Sequence, residues 1–318
     1  MEKEATLIVY LLLAFGATVI LTRLSIPLLR SRGIVGRDLH KREERYVVEM
    51  GGIGAAAAIL LSTLIAGQGG LLTNVWPAAA IVAAMALIGI YDDFKKIRGR
   101  VKFSLTFMAS LIVFYGLGHP GTGFVGSLFP SWVTPLVLAL GVAVSANAVN
   151  ILAGFNGLEA GTSAIAAAGF LVLSISISNA SAGLSAAILL GACLGFLVFN
   201  KFPAKAFPGD VGTLTFGGYL AVVSFYAEAE VLLPAFLAPH LAEFVCKLLN
   251  RFKPKEATGH ARLGPHGRLV PGPYAAVVHF VMRRFPTDEP GLVRKMWAIE
   301  TLVVALSLAV YAASTIWL

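Results

Sequence analysis

Residues Gly183–Asn200 read GLSAAILLGACLGFLVFN, a run without a single charged side chain. A helix that crosses the hydrocarbon core of a bilayer needs roughly 20 mostly apolar residues, so this stretch predicts a membrane-spanning helix. The whole chain has the same character, because 57% of its 318 residues are hydrophobic and only 13% are charged. A soluble domain carries about 25% charged residues. The composition therefore argues against a soluble enzyme, a nucleic-acid-binding module and a disordered protein.

Ten apolar stretches of this kind predict an all-α polytopic membrane protein with ten transmembrane helices. We interpret residues 1–318 as a single integral membrane domain, with the loop 251–295 as a substrate-binding appendage. The predicted spans are Ala5–Leu29, Met50–Ala66, Trp76–Tyr91, Phe103–Leu117, Trp132–Leu152, Gly161–Ile177, Gly183–Asn200, Thr213–Ala227, Val231–Asn250 and Met296–Leu318.

Basic residues fall almost entirely in alternate loops between these spans. The loops that follow spans 1, 3, 7 and 9 hold nearly all of the 25 lysine and arginine residues, and the loops after spans 2, 4, 6 and 8 hold none. Cytoplasmic loops of membrane proteins carry an excess of Lys and Arg. The pattern therefore predicts that the odd-numbered loops face the cytoplasm and that both termini lie outside.

Two adjacent acids, Asp92 and Asp93, end the third predicted span. A solvated helix end would explain one acid, but the partial negative charge of a helix C-terminus disfavours carboxylates by about 0.3–1 kcal/mol each. The pair therefore favours a functional role, such as contact with a cation. Neighbours on a helix do not share a face, so we expect the two acids to have different roles.

Further polar side chains cluster on the same predicted face. Asn147 and Asn150 share a helix face, and Asn156 follows in a turn flanked by glycine. Hydrogen bonding between helices would also explain the first two, and a turn or helix N-cap would explain Asp210 in Pro-Gly-Asp. Together these oxygen ligands fit Mg²⁺, which typically uses one or two carboxylates plus substrate phosphates; Mn²⁺ is an alternative. Candidate anion ligands in the inner loops are Lys102, His260, Arg262, His266 and Arg268, since Arg matches phosphate oxygens.

The order of these motifs resembles the polyprenyl-phosphate N-acetylhexosamine-1-phosphate transferase superfamily. Within it, Asn147-Ala-Val-Asn150-Ile-Leu-Ala-Gly-Phe-Asn156-Gly-Leu-Glu-Ala-Gly is similar to the eukaryotic and archaeal UDP-GlcNAc–dolichyl-phosphate GlcNAc-1-phosphotransferase branch. The acid pair with Lys102 and the run Phe207-Pro-Gly-Asp210 resemble that branch too. The bacterial peptidoglycan-precursor branch typically has Asp-Gly-Leu-Asp-Gly at residues 153–157, where this chain has Ala-Gly-Phe-Asn-Gly, and a histidine run in the ninth loop that is absent here.

The resemblance implies a role for each matching residue. Asn150 and Asp210 would ligate Mg²⁺, and Asp92 and Asp93 would be the catalytic acid pair. The substrate-binding residues would be Lys102 for phosphate, Asn156 and its turn for uracil, and His260 and Arg262 for the diphosphate or the sugar, with Glu49 nearby. Asn147 would also belong to the substrate-binding set.

The activity implied is transfer of GlcNAc-1-phosphate from UDP-GlcNAc to dolichyl or another polyprenyl phosphate at the cytoplasmic face. It would be the first step of lipid-linked oligosaccharide assembly for protein N-glycosylation. The partners would be these two substrates and the bilayer, and no nucleic acid is expected among them. A homodimer is an alternative to a monomer. A cell membrane is favoured over the endoplasmic reticulum because no retention motif ends the chain. The alternatives are a related muramyl-pentapeptide phosphotransferase or a transporter of an anionic solute, although a transporter would place its charges near the bilayer midplane.

Overall fold

In a computed structural model that describes residues 2–250 and 261–316, the protein is a bundle of α-helices. The described helices are α1 Glu2–Ser31, α2 Gly52–Gln68, α3 Val75–Lys95, α4 Gly99–Leu117, α5 Phe124–Leu128, α6 Thr134–Ile151, α7 Leu158–Ser176, α8 Ala180–Asn200, α9 Gly209–Tyr226, α10 Leu232–Phe236, α11 Ala238–Leu249, α12 Val277–Arg284 and α13 Glu289–Ile316. Two short antiparallel hairpins join them, β1 Val35–Arg37 with β2 Tyr46–Val48, and β3 Arg262–Leu263 with β4 Leu269–Val270.

Seven of the described helices are long and apolar enough to cross a membrane, namely α1, α3, α4, α6, α7, α8 and α13. The protein is therefore an all-α polytopic membrane protein. The other three predicted spans fall on helices outside these seven. One is α2, which is shorter, and another is α9, which begins with a polar turn. The predicted span Val231–Asn250 is not one continuous helix, because α10 ends at Phe236 and α11 begins at Ala238 with Pro239 in its first turn. The ten-span count and the orientation stay predictions.

Helix α9 lies at the centre of the bundle. It packs against α2, α3, α6, α7 and α8, and every residue from Val211 to Tyr226 is buried. A helix that is buried on all sides reads as apolar all round, which is why its sequence resembles a span that contacts lipid. Its first turn is the polar exception, and this turn meets the loops at one end of the bundle.

The first hairpin ties the entry of α2 to the entry of α9. Val48 pairs with Ala206 in a parallel bridge, and Gly51 N–H donates to the Phe207 carbonyl at 2.9 Å. Gly52 makes this approach feasible, since a Cβ there would lie 2.4 Å from the Pro208 carbonyl oxygen. The contacts bring two segments that are distant in sequence, residues 35–52 and residues 206–209, to one end of the bundle.

The C-terminal segment packs on the turn after α6. Leu152, Phe155 and Leu158 form one apolar cluster with residues of the second hairpin, α12 and the start of α13, among them Leu269 and Met282. The short helix α12 contributes Val278, Val281 and Met282 to this cluster.

Candidate active site

A cavity of about 410 Å³ opens at the end of the bundle where these loops meet. This volume lies within the range of about 300–1,000 Å³ that is usual for small-ligand sites. Its lining includes six of the residues that the sequence singles out, Glu49, Asp93, Lys102, Asn150, Asn156 and Asp210. The structure therefore brings together the acid pair region, the Asn-rich turn and the Pro-Gly-Asp turn.

Lys102 holds the centre of the polar cluster. Its Nζ donates to Asp210 Oδ1 at 3.0 Å and to Asn150 Oδ1 at 3.2 Å, and it forms an ion pair with Asp92. The Lys102 side chain is only 12% exposed and that of Asp92 only 3%. Removing one member of a buried ion pair leaves the other charge unpaired, which typically costs 3–5 kcal/mol. This network thus fixes α3, α4, α6 and α9 relative to one another at the cavity floor.

The two adjacent acids contact different groups, as their directions on the helix predict. Asp92 accepts a hydrogen bond from the Ile97 backbone N–H at 2.8 Å, besides its ion pair with Lys102, and so stabilises the turn between α3 and α4. Asp93 accepts from the backbone N–H groups of Asp210 at 2.9 Å and Val211 at 3.1 Å. These are donors that the first turn of a helix leaves unpaired. Asp93 therefore caps α9 from a neighbouring helix.

Two glycines allow this cap. Gly89 lies one turn before Asp93, and a Cβ on it would lie 2.4 Å from Val211 Cα, so only glycine lets α3 come this close to α9. Gly209 has φ +66°, a conformation that residues with a Cβ rarely adopt, and a Cβ there would lie 2.7 Å from Asp93 Oδ2. The Pro-Gly-Asp turn thus delivers Asp210 to the cavity with its backbone held by Asp93.

The donor atoms around Asp210 fit a hard cation. Asn150 donates its amide to Asp210 and, at 2.8 Å, to Thr213 Oγ1, and oxygens of Asp92, Asn150 and Asp210 already converge on one cationic group, the Lys102 ammonium. Among the described residues, no group of three or more His, Cys, Asp or Glu side chains forms a complete metal site. Mg²⁺ commonly takes one or two carboxylates and completes its shell with water and substrate phosphate, so Asn150 and Asp210 suit Mg²⁺ with a diphosphate.

Asn156 also lines the cavity and is 5% exposed. Its backbone N–H donates to Glu289 Oε1 at 2.9 Å, and its side-chain amide donates to Asp38 Oδ2 at 3.2 Å. The following residue, Gly157, donates its N–H to Asn200 Oδ1 at 3.1 Å. Side chains from three other segments therefore fix the Asn-rich turn.

The remaining predicted residues lie elsewhere. Asn147 donates to Thr106 Oγ1 at 3.0 Å and does not line the cavity, which is the hydrogen bond between helices that the sequence left as an alternative. Arg262 lies on β3, is exposed, and does not line the cavity either. His260 lies outside the described residues.

Several cavity residues are absent from the sequence-based assignment. Asp38 stands in a basic loop, where an acid reads as part of a solvated charge cluster, although the structure leaves it only 4% exposed. Thr213 follows Asp210 at helical spacing, a signal that could have identified it. Asn200 ends a long apolar run, where a polar side chain is already unusual.

Comparisons with known proteins find similar sequences over most of the chain. The family model described as "Glycosyl transferase family 4" matches residues 75–228. A Methanocaldococcus jannaschii protein, provisionally named a glycosyltransferase, is 34% identical over 268 residues, covering 83% of both chains. A Sulfolobus acidocaldarius protein, provisionally named a UDP-N-acetylglucosamine–dolichyl-phosphate N-acetylglucosaminephosphotransferase, is 30% identical over 93% of both chains. The phospho-N-acetylmuramoyl-pentapeptide-transferase of Halalkalibacterium halodurans is 33% identical over 72% of this chain and 78% of its own.

Proposed function

Because the chain belongs to glycosyl transferase family 4, we propose that it transfers N-acetylglucosamine 1-phosphate from UDP-N-acetylglucosamine to dolichyl or another polyprenyl phosphate. The observation that carries this proposal is the convergence of Lys102, Asn150 and Asp210 in a cavity at one end of an apolar helix bundle. A sugar nucleotide is soluble in water, whereas a polyprenyl phosphate is confined to the membrane. Their reaction needs a polar site at the membrane boundary, and an end of the bundle supplies one.

The reaction exchanges one phosphoanhydride bond for another. An oxygen of the acceptor phosphate attacks the sugar-linked β-phosphorus, the bond from this phosphorus to the bridging oxygen breaks, and UMP leaves with that oxygen. A phosphate monoester has a second pKa near 6, so the acceptor is already largely dianionic at neutral pH. We therefore propose direct displacement, without a strong general base and without a covalent aspartyl intermediate.

Phosphoryl transfer depends mainly on positioning and on neutralising charge. Transferases of this family generally use Mg²⁺, and a magnesium ion held by Asn150 and Asp210 would neutralise charge on the diphosphate. Lys102 provides a cationic donor to phosphate oxygens, and Asp92 orients its ammonium group. Asp93, which we include in the catalytic pair, keeps Asp210 in register through the N-terminus of α9.

The chain's own motif and one of its relatives support the choice of sugar and lipid. The archaeal relative named for dolichyl phosphate aligns over nearly the full chain, 93% of it, and Ala-Gly-Phe-Asn-Gly replaces the acidic run that is typical of the muramyl branch. The relatives named for the muramyl-pentapeptide reaction are equally similar in identity, so that reaction is the second candidate. We further propose that the cavity faces the cytoplasm of a cell membrane, where a UDP-sugar is available, and that Glu49, which lines the cavity, contacts the donor.

A matrix of substrates tests the proposal. Purified protein is incubated with Mg²⁺, with either UDP-N-acetylglucosamine or UDP-N-acetylmuramoyl-pentapeptide, and with either dolichyl or undecaprenyl phosphate. UMP and lipid-linked product should form from the first donor, and an Asp210→Ala control should form neither. Turnover of the muramyl donor alone would refute the proposed donor, and turnover of neither lipid phosphate would refute the proposed acceptor.

A further inference from the structure

A chain of hydrogen bonds runs from Asn156 through Asp38, which also lines the cavity, to Lys41 and Glu289. Asp38 accepts from the Asn156 amide at Oδ2 and from Lys41 Nζ at Oδ1, the latter at 2.9 Å. Lys41 also pairs with Glu289, which accepts from the Asn156 backbone. Asp38 and Glu289 are 4% and 3% exposed. Each carboxyl group therefore has a defined partner on each oxygen.

The chemistry of Asp38 decides which way the Asn156 amide points. An ionised carboxylate only accepts hydrogen bonds, so the group that Asn156 turns toward it must be its NH₂. The carbonyl oxygen of the amide then points away from Asp38. Among residues 2–250 and 261–316, no group donates to this oxygen, and Asn156 lines the cavity. The cavity wall at this position thus presents a hydrogen-bond acceptor.

We infer that Asp38 is a positioning residue that makes the site select uracil over cytosine by fixing this acceptor. The inference rests on the proposed uridine nucleotide donor. A uracil joined to ribose has a single N–H donor, at N3, which matches a carbonyl oxygen. Cytosine has a lone pair at N3, so the same contact would set two acceptors against each other, and an unmade buried hydrogen bond is costly.

Because Lys41 holds one oxygen of residue 38, the substitution Asp38→Asn should replace the hydrogen-bond acceptor at the cavity wall by a donor. In an Asp38→Asn variant, the Lys41 ammonium still requires an oxygen at the position of Oδ1, because an ammonium only donates. The new NH₂ then faces Asn156 and turns the Asn156 carbonyl toward itself. The Asn156 NH₂ would face the cavity as a donor, which matches N3 of cytosine and opposes N3–H of uracil.

Calorimetry with UMP and CMP on the full-length protein with Mg²⁺ tests this inference. The wild type should bind UMP more tightly by on the order of tenfold to a hundredfold, the range expected for one mismatched buried hydrogen bond. In Asp38→Asn the ratio should fall by about tenfold or more, with CMP binding more tightly than it does to the wild type. A merely structural loss cannot produce this gain. Lys41→Met is the matched control, because it weakens the same network but keeps the carboxylate and should keep the ratio.

Each other outcome is decisive. An unchanged ratio in a folded Asp38→Asn protein would overturn the inference and leave the uridine donor standing. If that variant does not fold, the wild type alone decides, because equal affinity for UMP and CMP would overturn the inference. Binding of neither nucleotide would overturn the proposed donor and, with it, the selection of its base.

Discussion

The substitution Asp93→Asn tests how much the cap on α9 contributes to stability and to the position of Asp210. Asp93 accepts two backbone hydrogen bonds, from Asp210 and Val211. The amide of Asn retains one acceptor and sets an NH₂ against the other N–H. The loss of one charge-assisted bond costs about 1.5–3 kcal/mol, and the loss of a negative charge at a helix N-terminus adds about 0.3–1 kcal/mol. We therefore expect the variant to lose about 2–4 kcal/mol of stability.

The same substitution should lower activity, because Asp210 loses its backbone support. A displacement of about 1 Å at a reacting centre can cost about a hundredfold in rate, so kcat/KM for UMP release should fall by about this factor. Thermal unfolding in detergent, followed by tryptophan fluorescence, and the transfer assay measure the two effects on one preparation.

Asn179→Ala is the matched control for this prediction. Asn179 is the N-cap of α8 and accepts from Ala182 N–H at 3.0 Å, but it lies outside the cavity lining. Loss of a cap costs about 1 kcal/mol, so this variant should lose stability and keep its activity at a temperature where it is folded. If Asp93→Asn keeps wild-type stability and wild-type kcat/KM, the assignment of Asp93 as the cap that positions Asp210 is wrong.

Three further predictions follow from the fold and the site. Asp210→Ala should abolish transfer and also lower the unfolding temperature, because buried Lys102 and Asn150 each lose an acceptor; wild-type turnover with normal Mg²⁺ dependence would contradict the metal assignment. Gly89→Ala should destabilise the protein by about 1–3 kcal/mol, the usual cost of overpacking, because its Cβ would meet Val211; an unchanged unfolding temperature would contradict the close contact of α3 with α9. A cysteine that replaces Ser127 should react with a membrane-impermeant thiol reagent added outside, and a cysteine that replaces Lys205 should react only with reagent on the cytoplasmic side. The reverse labelling would contradict the proposed orientation.

The sequence predicts the helices well because hydropathy acts locally. Each predicted span coincides with helical structure, and the span predicted over Gly183–Asn200 is found as α8, which covers Ala180–Asn200. The interruption at Leu237 is not predicted, because the residues on both sides of it are apolar and only their packing separates α10 from α11. The central place of α9 is not predicted either, since burial among helices and exposure to lipid select the same residues.

In the candidate site, too, the sequence predicts what a local pattern records and misses what depends on contacts between distant segments. Motif spacing is enough to place Lys102, Asn150 and Asp210 on one face, and the structure brings them into contact. The partners of Asp93 and Asn156 depend on contacts between segments more than a hundred residues apart in the chain, which no local pattern records. For this reason the sequence could assign Asn156 to a substrate but could not identify Asp38 as its hydrogen-bond partner.

The fate of the β-phosphate of the donor tests the central claim most directly. UDP-N-acetylglucosamine that carries ³²P only at the β-phosphate is incubated with the protein, Mg²⁺ and dolichyl phosphate, and the organic and aqueous phases are then separated. If the protein transfers the sugar together with its phosphate, the label enters the lipid and the UMP released is unlabelled. If the label instead stays in water as UDP while the sugar enters the lipid, the protein transfers the sugar alone and the proposed reaction is wrong.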